Sequence, residues 1–142
     1  MIAPSLTLLV ATACGRQAAP RGPEPADPTS AVTQFLAAVK AHDLSAMGML
    51  WGTAKGPAAR SMPRDDLEKR LTVIQSYLVH ESYAVEPGAG PGEEGNERVV
   101  RVQLTRKGCT PVVPFTVVRW GSGWLVKAID LEAAGNPARP CS

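Results

Sequence analysis

Hydrophobic and polar residues alternate along the last third of the chain, and this pattern predicts an antiparallel sheet. In Glu97–Lys107, Val100, Val102 and Leu104 point one way and the polar residues between them point the other way. A period of two is typical of a half-buried strand. Short glycine-containing breaks separate this run from two further runs rich in β-branched and aromatic residues, which is typical of hairpins. We therefore predict three consecutive strands, at Glu97–Lys107, Val112–Trp120 and Trp124–Leu131.

The last two of these strands are apolar on both faces. In the middle strand, Phe115 and Val117 alternate with Val118 and Trp120. A strand that is apolar on both sides is usually covered on both sides, so we expect both strands to be central in the sheet. Proline cannot donate a hydrogen bond to a ladder, so Pro114 predicts a bulge or an unpaired stretch in its own strand.

Upstream of the sheet, apolar residues recur with helical spacing. Asp27-Pro28 is a typical helix start, and the residues that follow are apolar at i, i+3, i+4 and i+7, which places them on one face. These four residues are Val32, Phe35, Leu36 and Val39. We predict a second helix over Leu44–Trp51 that Asp43 caps. A third helix over Arg64–Leu78, a loop at Gly52–Pro63 and a first strand at Ser82–Glu86 complete the prediction.

Two segments resemble the nuclear-transport-factor-2-like superfamily: Ala31–Ala46, which reads AVTQFLAAVKAHDLSA, and Gly123–Leu131, which reads GWLVKAIDL. The resemblance covers roughly residues 28–132. It implies an α+β fold in which three N-terminal helices pack on a curved four-stranded antiparallel sheet to form a cone. The chain departs from the superfamily at the loop 52–63, where a short hairpin is usual. A cystatin-like arrangement, with one long helix on an antiparallel sheet, is the alternative.

The superfamily also contains enzymes, such as ketosteroid isomerase, that use a carboxylate base with tyrosine and acid hydrogen-bond donors inside the cone. No aspartate of this chain matches that motif, and the tyrosines are only Tyr77 and Tyr83. The resemblance therefore implies the fold and assigns no catalytic residue.

The first thirteen residues have the pattern of an export signal. Leu6–Ala13 is apolar, too short to span a membrane and suited to the hydrophobic region of a signal peptide. It ends in Ala11-Thr12-Ala13-Cys14, which resembles the lipobox of bacterial lipoproteins, where the signal is removed before the cysteine and acyl chains are attached. Ala11 stands where leucine is usual, and no Lys or Arg precedes the apolar run. We expect a lipoprotein signal peptide over residues 1–13, lipidation at Cys14, a proline-rich tether over residues 14–27 and a folded domain over residues 28–142.

The same residues allow two other interpretations. Ala11-Thr12-Ala13 is also an ordinary A-x-A cleavage site, which would give a soluble exported protein, and a cytoplasmic protein with an apolar start is the third alternative. The chain has three cysteines, and lipidation of Cys14 would leave an even pair, which favours the lipoprotein. No aspartate follows Cys14, so we expect the periplasmic side of the outer membrane rather than the inner membrane.

Cys109 and Cys141 are the two cysteines of the domain, and we predict a disulfide bond between them. Cys109 lies in the turn between the second and third strands, and the last strand should finish at the same end of the sheet. The ten residues that follow it can span at most ~33–36 Å, which is enough for Cys141 to return to Cys109. The alternative is two free buried thiols.

Composition excludes some functions. A net charge of +2 over 142 residues, without a basic cluster on a predicted helix face, argues against nucleic-acid binding. His42 and His80 share no ligand spacing with Cys, Asp or Glu, so we predict no metal site. No nucleophile motif is present, and we predict no cofactor and no catalytic residue.

Three classes of function remain. The first is a membrane-anchored, non-enzymatic binding domain that takes a small apolar ligand or a protein partner and dimerises through its sheet. The second is a small-molecule enzyme of the isomerase or dehydratase kind, with an acid or base among Asp43, Glu81, Asp130 and Tyr77. The third is a structural component of the cell envelope. Five residues are predicted to line a pocket in the first two cases: Phe35, Trp51, Tyr77, Tyr83 and Trp124.

Overall fold

The computed structural model describes residues 24–88, 90–91, 95–139 and 141. These residues form four α-helices, a small two-stranded sheet and a main antiparallel sheet of four strands in line, to which a fifth strand of two residues is paired; this confirms the predicted α+β class. The predicted signal peptide, the start of the tether and Cys14 lie outside the described residues.

The helices and strands follow one another in an order close to the predicted one. The helices are α1 (Pro28–Lys40), α2 (Leu44–Leu50), α3 (Arg64–Tyr77) and α4 (Leu131–Ala134). The strands are β1 (Gly52–Thr53), β2 (Gly56–Pro57), β3 (Ser82–Val85), β4 (Gly90–Pro91), β5 (Glu97–Thr105), β6 (Val112–Trp120) and β7 (Gly123–Ile129).

Three helices begin at an aspartate whose side chain accepts a hydrogen bond from the backbone N–H three residues later. Asp27 caps α1 in this way, Asp43 caps α2 and Asp130 caps α4, over 2.8, 2.9 and 3.0 Å. Each cap satisfies a donor that a helix terminus leaves free. Because Asp130 starts α4, the last strand ends at Ile129, and the prediction of a strand up to Leu131 was wrong there.

The main sheet has the strand order β3-β5-β6-β7, and all its pairs are antiparallel. The short strand β4 pairs with the start of β5. The prediction that β7 is central was wrong, because β7 ends this order and is extended in the described residues by a parallel bridge between Trp51 and Val126. Burial on both faces was nevertheless predicted correctly for Leu125 and Val126, which point to opposite sides and are 2% and 0% exposed.

Of the two alternatives predicted from Pro114, the bulge at that residue was wrong, and the unpaired stretch is confirmed on the side that faces β7, where the ladder begins at Phe115. The register between β6 and β7 shifts between Thr116 and Val117, and Pro114 pairs regularly with Arg101 of β5. The carbonyl of Pro114 accepts the N–H of Asp130 at the end of β7. Its missing N–H therefore falls where the β6–β7 ladder ends, and the sheet loses little by it.

The segment predicted as a loop at 52–63 contains regular structure. Strands β1 and β2 form a hairpin, and a 3-10 turn follows at Ala58–Arg60. Gly56 has φ of 129°, a conformation that favours glycine, and a Cβ there would lie 3.4 Å from the indole nitrogen of Trp120. The hairpin thus depends on a glycine and on a contact distant in sequence.

A single hydrophobic core joins the helices to the sheet. Helix α1 packs on β5, β6 and β7, and Phe35 of α1 and Phe115 of β6 are both fully buried. Leu71 and Ile74 of α3 belong to the same core. No polar or charged residue among those described is buried.

The two hairpin turns of the main sheet lie at opposite ends of β6. The turn 106–111 precedes the strand and the turn 121–122 follows it. Nine residues of strand separate them by ~30 Å. The molecule therefore has two distinct ends, which are described separately below.

Candidate functional site

Arg106 organises the end of the molecule at the β5–β6 turn. Its Nε donates to the carbonyl of Val79 over 2.7 Å, one terminal nitrogen donates to the carbonyl of Ala134 over 2.5 Å, and the other donates to the carbonyl of Tyr77. Tyr77 and Ala134 are the last residues of α3 and α4, where backbone carbonyls lack helical partners and carry partial negative charge. One guanidinium thus donates hydrogen bonds to terminal carbonyls of two helices.

The charge of Arg106 is balanced by dipoles rather than by an anion. The side chain is half-buried, and no carboxylate of the described residues lies within ion-pair distance of it. Desolvation lowers the pKa of Arg106 from its ordinary value, because burial disfavours the charged form. The result is a cation held in place by neutral acceptors.

A pocket of about 320 Å³ opens beside Arg106. Its ionisable lining residues are His80, Glu81, Arg106 and Lys107. Val79 and Pro137 supply apolar walls, and Ser76 completes the lining. Val79 is 58% exposed, so this apolar side chain faces solvent at the pocket. We call this cavity the Arg106 pocket.

His80 is fixed in one orientation at the Arg106 pocket. Its Nδ1 lies 2.8 Å from the carbonyl of Leu78, and because a carbonyl can only accept, Nδ1 is the donor of this hydrogen bond. Nε2 is buried and has no hydrogen-bond partner among the described residues. Tyr83 packs edge-on against the imidazole, with the ring centres 5.7 Å apart.

The predicted disulfide bond between Cys109 and Cys141 is present at the same end. The Cα atoms are 5.5 Å apart. The bond holds the C-terminal segment that begins after Ala134, which is fully buried, and that passes Pro137 at the pocket wall. The pocket is therefore closed on one side by a segment fixed at both of its ends.

The five residues predicted to line a pocket do not come together. Phe35 lies inside the core, and Tyr77 is half-buried against it. Tyr83 contacts His80 beside the Arg106 pocket. Trp51 lines a separate surface hollow of about 370 Å³ with Lys69, Arg70, Val73 and Ile74.

Trp124 is only 6% exposed and is flanked by two cations. The guanidinium carbons of Arg98 and Arg119 lie 5.7 and 5.3 Å from the centre of its indole ring. Contacts of this kind are stabilising cation–π pairs. The indole ring of Trp124 therefore makes its cation–π contacts with side chains of the protein itself.

The four candidate acids and bases have separate positions. Asp43 and Asp130 are helix caps, and the carbonyl of Tyr77 accepts from Arg106. Glu81 alone of the four lines the Arg106 pocket. No two of these candidates form a catalytic pair in the part of the chain that the structure describes.

The opposite end of the molecule, at the β6–β7 turn, has a larger hollow of about 560 Å³. Its apolar lining includes Pro25, Met49, Leu125 and Trp120. The guanidinium of Arg60 lies 5.1 Å from the centre of the Trp120 ring, so the aromatic surface is partly covered.

The described end of the predicted tether lies against this same turn. Pro25 is buried, and its carbonyl accepts the N–H of Trp124 over 3.0 Å. The hydroxyl of Ser122 donates to the carboxylate of Glu24. The chain thus enters the domain at the end opposite to the Arg106 pocket.

Sequence reasoning missed Arg106 and Lys107 as site residues. Neither belongs to a motif, and the partners of Arg106 are backbone carbonyls 27–29 residues away in the chain. Every residue type has a backbone carbonyl, so the sequence does not reveal which residues will accept hydrogen bonds from Arg106. The only available signal was the position of both cations in the turn just before Cys109, which was predicted to be tied to the C-terminus.

Within the described ranges, no helix has the length and apolar character needed to cross a bilayer. Those ranges also contain no cluster of three or more His, Cys, Asp or Glu side chains able to hold a metal ion. Comparison of the chain with protein-family models, with curated proteins and with solved structures finds no match in any of the three.

Proposed function

We propose that this protein is an exported bacterial lipoprotein, anchored through lipid on Cys14, whose domain binds a ligand without transforming it. Export is supported by the bond between Cys109 and Cys141, because structural disulfides persist in oxidising compartments and are rare in the cytosol. The lipobox-like Ala11-Thr12-Ala13-Cys14 supports the anchor.

The observation that carries the proposal is the opposite placement of tether and pocket. Glu24 and Pro25 lie at the β6–β7 turn, and the Arg106 pocket lies at the β5–β6 turn, a strand length away. A chain held by Cys14 to a lipid surface would therefore present the pocket away from that surface. This orientation suits capture of a ligand from the surrounding solution.

A binding role is favoured over catalysis by the state of the ionisable groups. In the Arg106 pocket, Nδ1 of His80 is engaged with Leu78, and its Nε2 is buried beyond contact with solvent. Glu81 has no second carboxylate beside it in the lining. General acid–base catalysis needs a group that reaches the proton it transfers, and the buried Nε2 of His80 does not meet that need. Glu81 is exposed in the lining and is the one of the four candidate acids and bases found there. An isomerase or dehydratase is the second candidate function. The one observation that favours it is that Glu81 and His80 both line the Arg106 pocket.

We also propose that the domain has the curved-sheet architecture of the nuclear-transport-factor-2-like superfamily, with α1, α2 and α3 as its N-terminal helices. The helices precede the main sheet, and the hairpin β1–β2 occupies the position where the superfamily has one. The interior is filled by Phe35 and Phe115, so the proposal includes no deep ligand cavity in the cone.

The anchor is tested by fractionating cells that express the full chain or its Cys14→Ala variant. We expect the unaltered chain in the membrane fraction, released only by detergent, and the variant in the soluble fraction or unprocessed. A double variant with Cys109→Ser and Cys141→Ser is the control, and it should stay with the membrane. Detergent-dependent release that is the same with and without Cys14 would overturn the anchor.

A further inference from the structure

We propose that the Arg106 pocket binds a small organic carboxylate that carries a short apolar group. This inference deepens the proposed function, since it names the ligand class of the same site. It is carried by three observations: a cation with no carboxylate of the described residues at ion-pair distance, a second cation beside it, and exposed apolar walls.

The charges of the pocket favour an anion. The guanidinium of Arg106 has five N–H donors, of which three are used on carbonyls, so donors remain on a charge that no described carboxylate neutralises. Lys107 is exposed and lines the same cavity. A carboxylate placed between the two would accept charge-assisted hydrogen bonds, which are shorter and stronger than neutral ones.

Glu81 sets the direction in which the ligand lies. Glu81 is an exposed residue of the lining, and its negative charge repels an anion. Its backbone carbonyl accepts a hydrogen bond from the ammonium of Lys40 over 2.8 Å. The carboxylate of the ligand must therefore lie on the side of Arg106 and Lys107. Replacing Glu81 by a neutral residue should tighten binding of the carboxylate. A gain of affinity is a more specific test than a loss, because many substitutions weaken binding.

The size and walls of the pocket define the rest of the ligand. A volume of about 320 Å³ is near the lower end for small-molecule sites and corresponds to roughly ten water volumes. Val79 and Pro137 offer apolar contact. A carboxylate with one ring or a short branched chain fits these limits, whereas a nucleotide or a long acyl chain exceeds them.

The experiment compares benzoate with benzamide, which have the same shape and differ in charge. The full chain carries Cys14→Ser to prevent lipidation, its disulfide is intact, and binding is followed by NMR chemical shifts and by calorimetry. We expect benzoate to saturate, with shifts at the methyl groups of Val79, and benzamide to bind ~tenfold more weakly, because it lacks the charge-assisted pair.

Three variants locate the binding. Lys107→Met should weaken benzoate binding ~threefold to fivefold, and Glu81→Gln should strengthen it ~twofold, the sizes expected for partly exposed charges. Lys55→Met is the control: Lys55 is exposed in the turn of the β1–β2 hairpin and does not line the pocket. Arg106 is left unchanged, because its substitution also removes three structural hydrogen bonds, and a loss of binding would then not report on charge alone.

Four outcomes would overturn the inference. Equal affinity for benzamide would refute the carboxylate class while leaving a binding pocket. Loss of affinity in Lys55→Met equal to that in Lys107→Met would show general attraction instead of a site. No effect of Lys107→Met would exclude its role, and no binding of either probe at millimolar concentration would refute the pocket. Anchoring through Cys14 is measured by cell fractionation, so its outcome is independent of the outcome of the binding experiment.

Discussion

The guanidinium of Arg106 donates a hydrogen bond to the carbonyl of Ala134, and this contact ties the end of β5 to the last residue of α4. The same guanidinium reaches Val79 and Tyr77 at the end of α3. The two helix ends and the strand therefore share one cation. Stability at this end and the charge of the pocket both depend on it.

Replacing Arg106 by Met should reduce the free energy of unfolding by ~3 kcal/mol. The change leaves three backbone carbonyls without their donor, and unsatisfied groups of this kind cost roughly 1–3 kcal/mol each, offset here by partial access to water. Urea unfolding with the disulfide intact measures it. Arg101→Met is the matched control, because Arg101 is exposed on the same strand, and it should change stability by less than ~0.5 kcal/mol. Similar values for the two variants would contradict the role of Arg106.

Removal of the disulfide through Cys109→Ser and Cys141→Ser should lower the free energy of unfolding by ~3–4 kcal/mol. The bond joins residues 32 apart, and the chain-entropy model gives this size for a loop of that length. Comparison of urea midpoints for the oxidised chain and the double variant checks the value. The bond itself is checked by non-reducing peptide mapping, where two alkylatable thiols at these positions would refute it.

Gly123→Ala should dislodge the described end of the tether. A Cβ at Gly123 would lie 2.7 Å from the Cβ of Glu24 and 3.0 Å from the carbonyl oxygen of Pro25, closer than side chains approach. We expect loss of the hydrogen bond from Trp124 to Pro25 and faster hydrogen exchange of the Trp124 amide, equivalent to ~1 kcal/mol. Gly95→Ala is the control, since nothing lies within 4 Å of a Cβ there. Unchanged exchange at Trp124 would show that residues 24–25 do not pack on β7.

The cap at Asp27 should give α1 a measurable dependence on pH. The backbone N–H of Ser30, and then its hydroxyl, lower the pKa of Asp27 by donating to the charged carboxylate. A lowered pKa in the folded state means that the unfolded state binds more protons, so this stabilisation is complete above the unfolded pKa and is lost as the pH falls through the folded one, below pH ~4. Asp27→Ala should cost ~1 kcal/mol at pH 7.

The control for this prediction is Asp27→Asn, because asparagine caps a helix without titrating in this range. The stability gap between the Asn variant and the unaltered chain should narrow or reverse in acid, while the gap between the Ala and Asn variants stays constant. Thermal unfolding at pH 3 and pH 7 measures both. A gap between the unaltered chain and Asp27→Asn that does not change with pH would contradict the role of the charged cap.

The elements that were predicted correctly are those in which local pattern and burial agree. The alternation through Val100, Val102 and Leu104 located β5, and all three side chains are buried. The aspartates at 27 and 43 located the starts of α1 and α2, because a cap is a short-range device. The disulfide followed from topology, since the ends of antiparallel strands meet.

The errors and omissions come from contacts distant in sequence. Apolar residues on both faces of β7 were interpreted as a central strand, but Leu125 lies instead beside Pro25 in the hollow at the sheet's end. The β1–β2 hairpin depends on the approach of Gly56 to Trp120, and no local sequence pattern predicts this contact. The Arg106 pocket depends on carbonyls of α3 and α4. Sequence patterns locate elements, whereas the site lies where separate elements end.

The intact mass of the mature chain, extracted from membranes of the native host by detergent, tests the account most directly. It predicts a polypeptide that begins at Cys14 and carries diacylglycerol on the thiol together with an acyl chain on the amino group, with one disulfide formed. A chain that begins at Cys14 with neither modification would indicate soluble export. An unprocessed chain beginning at Met1 in the cytosol, with free thiols at Cys109 and Cys141, would contradict the proposal as a whole.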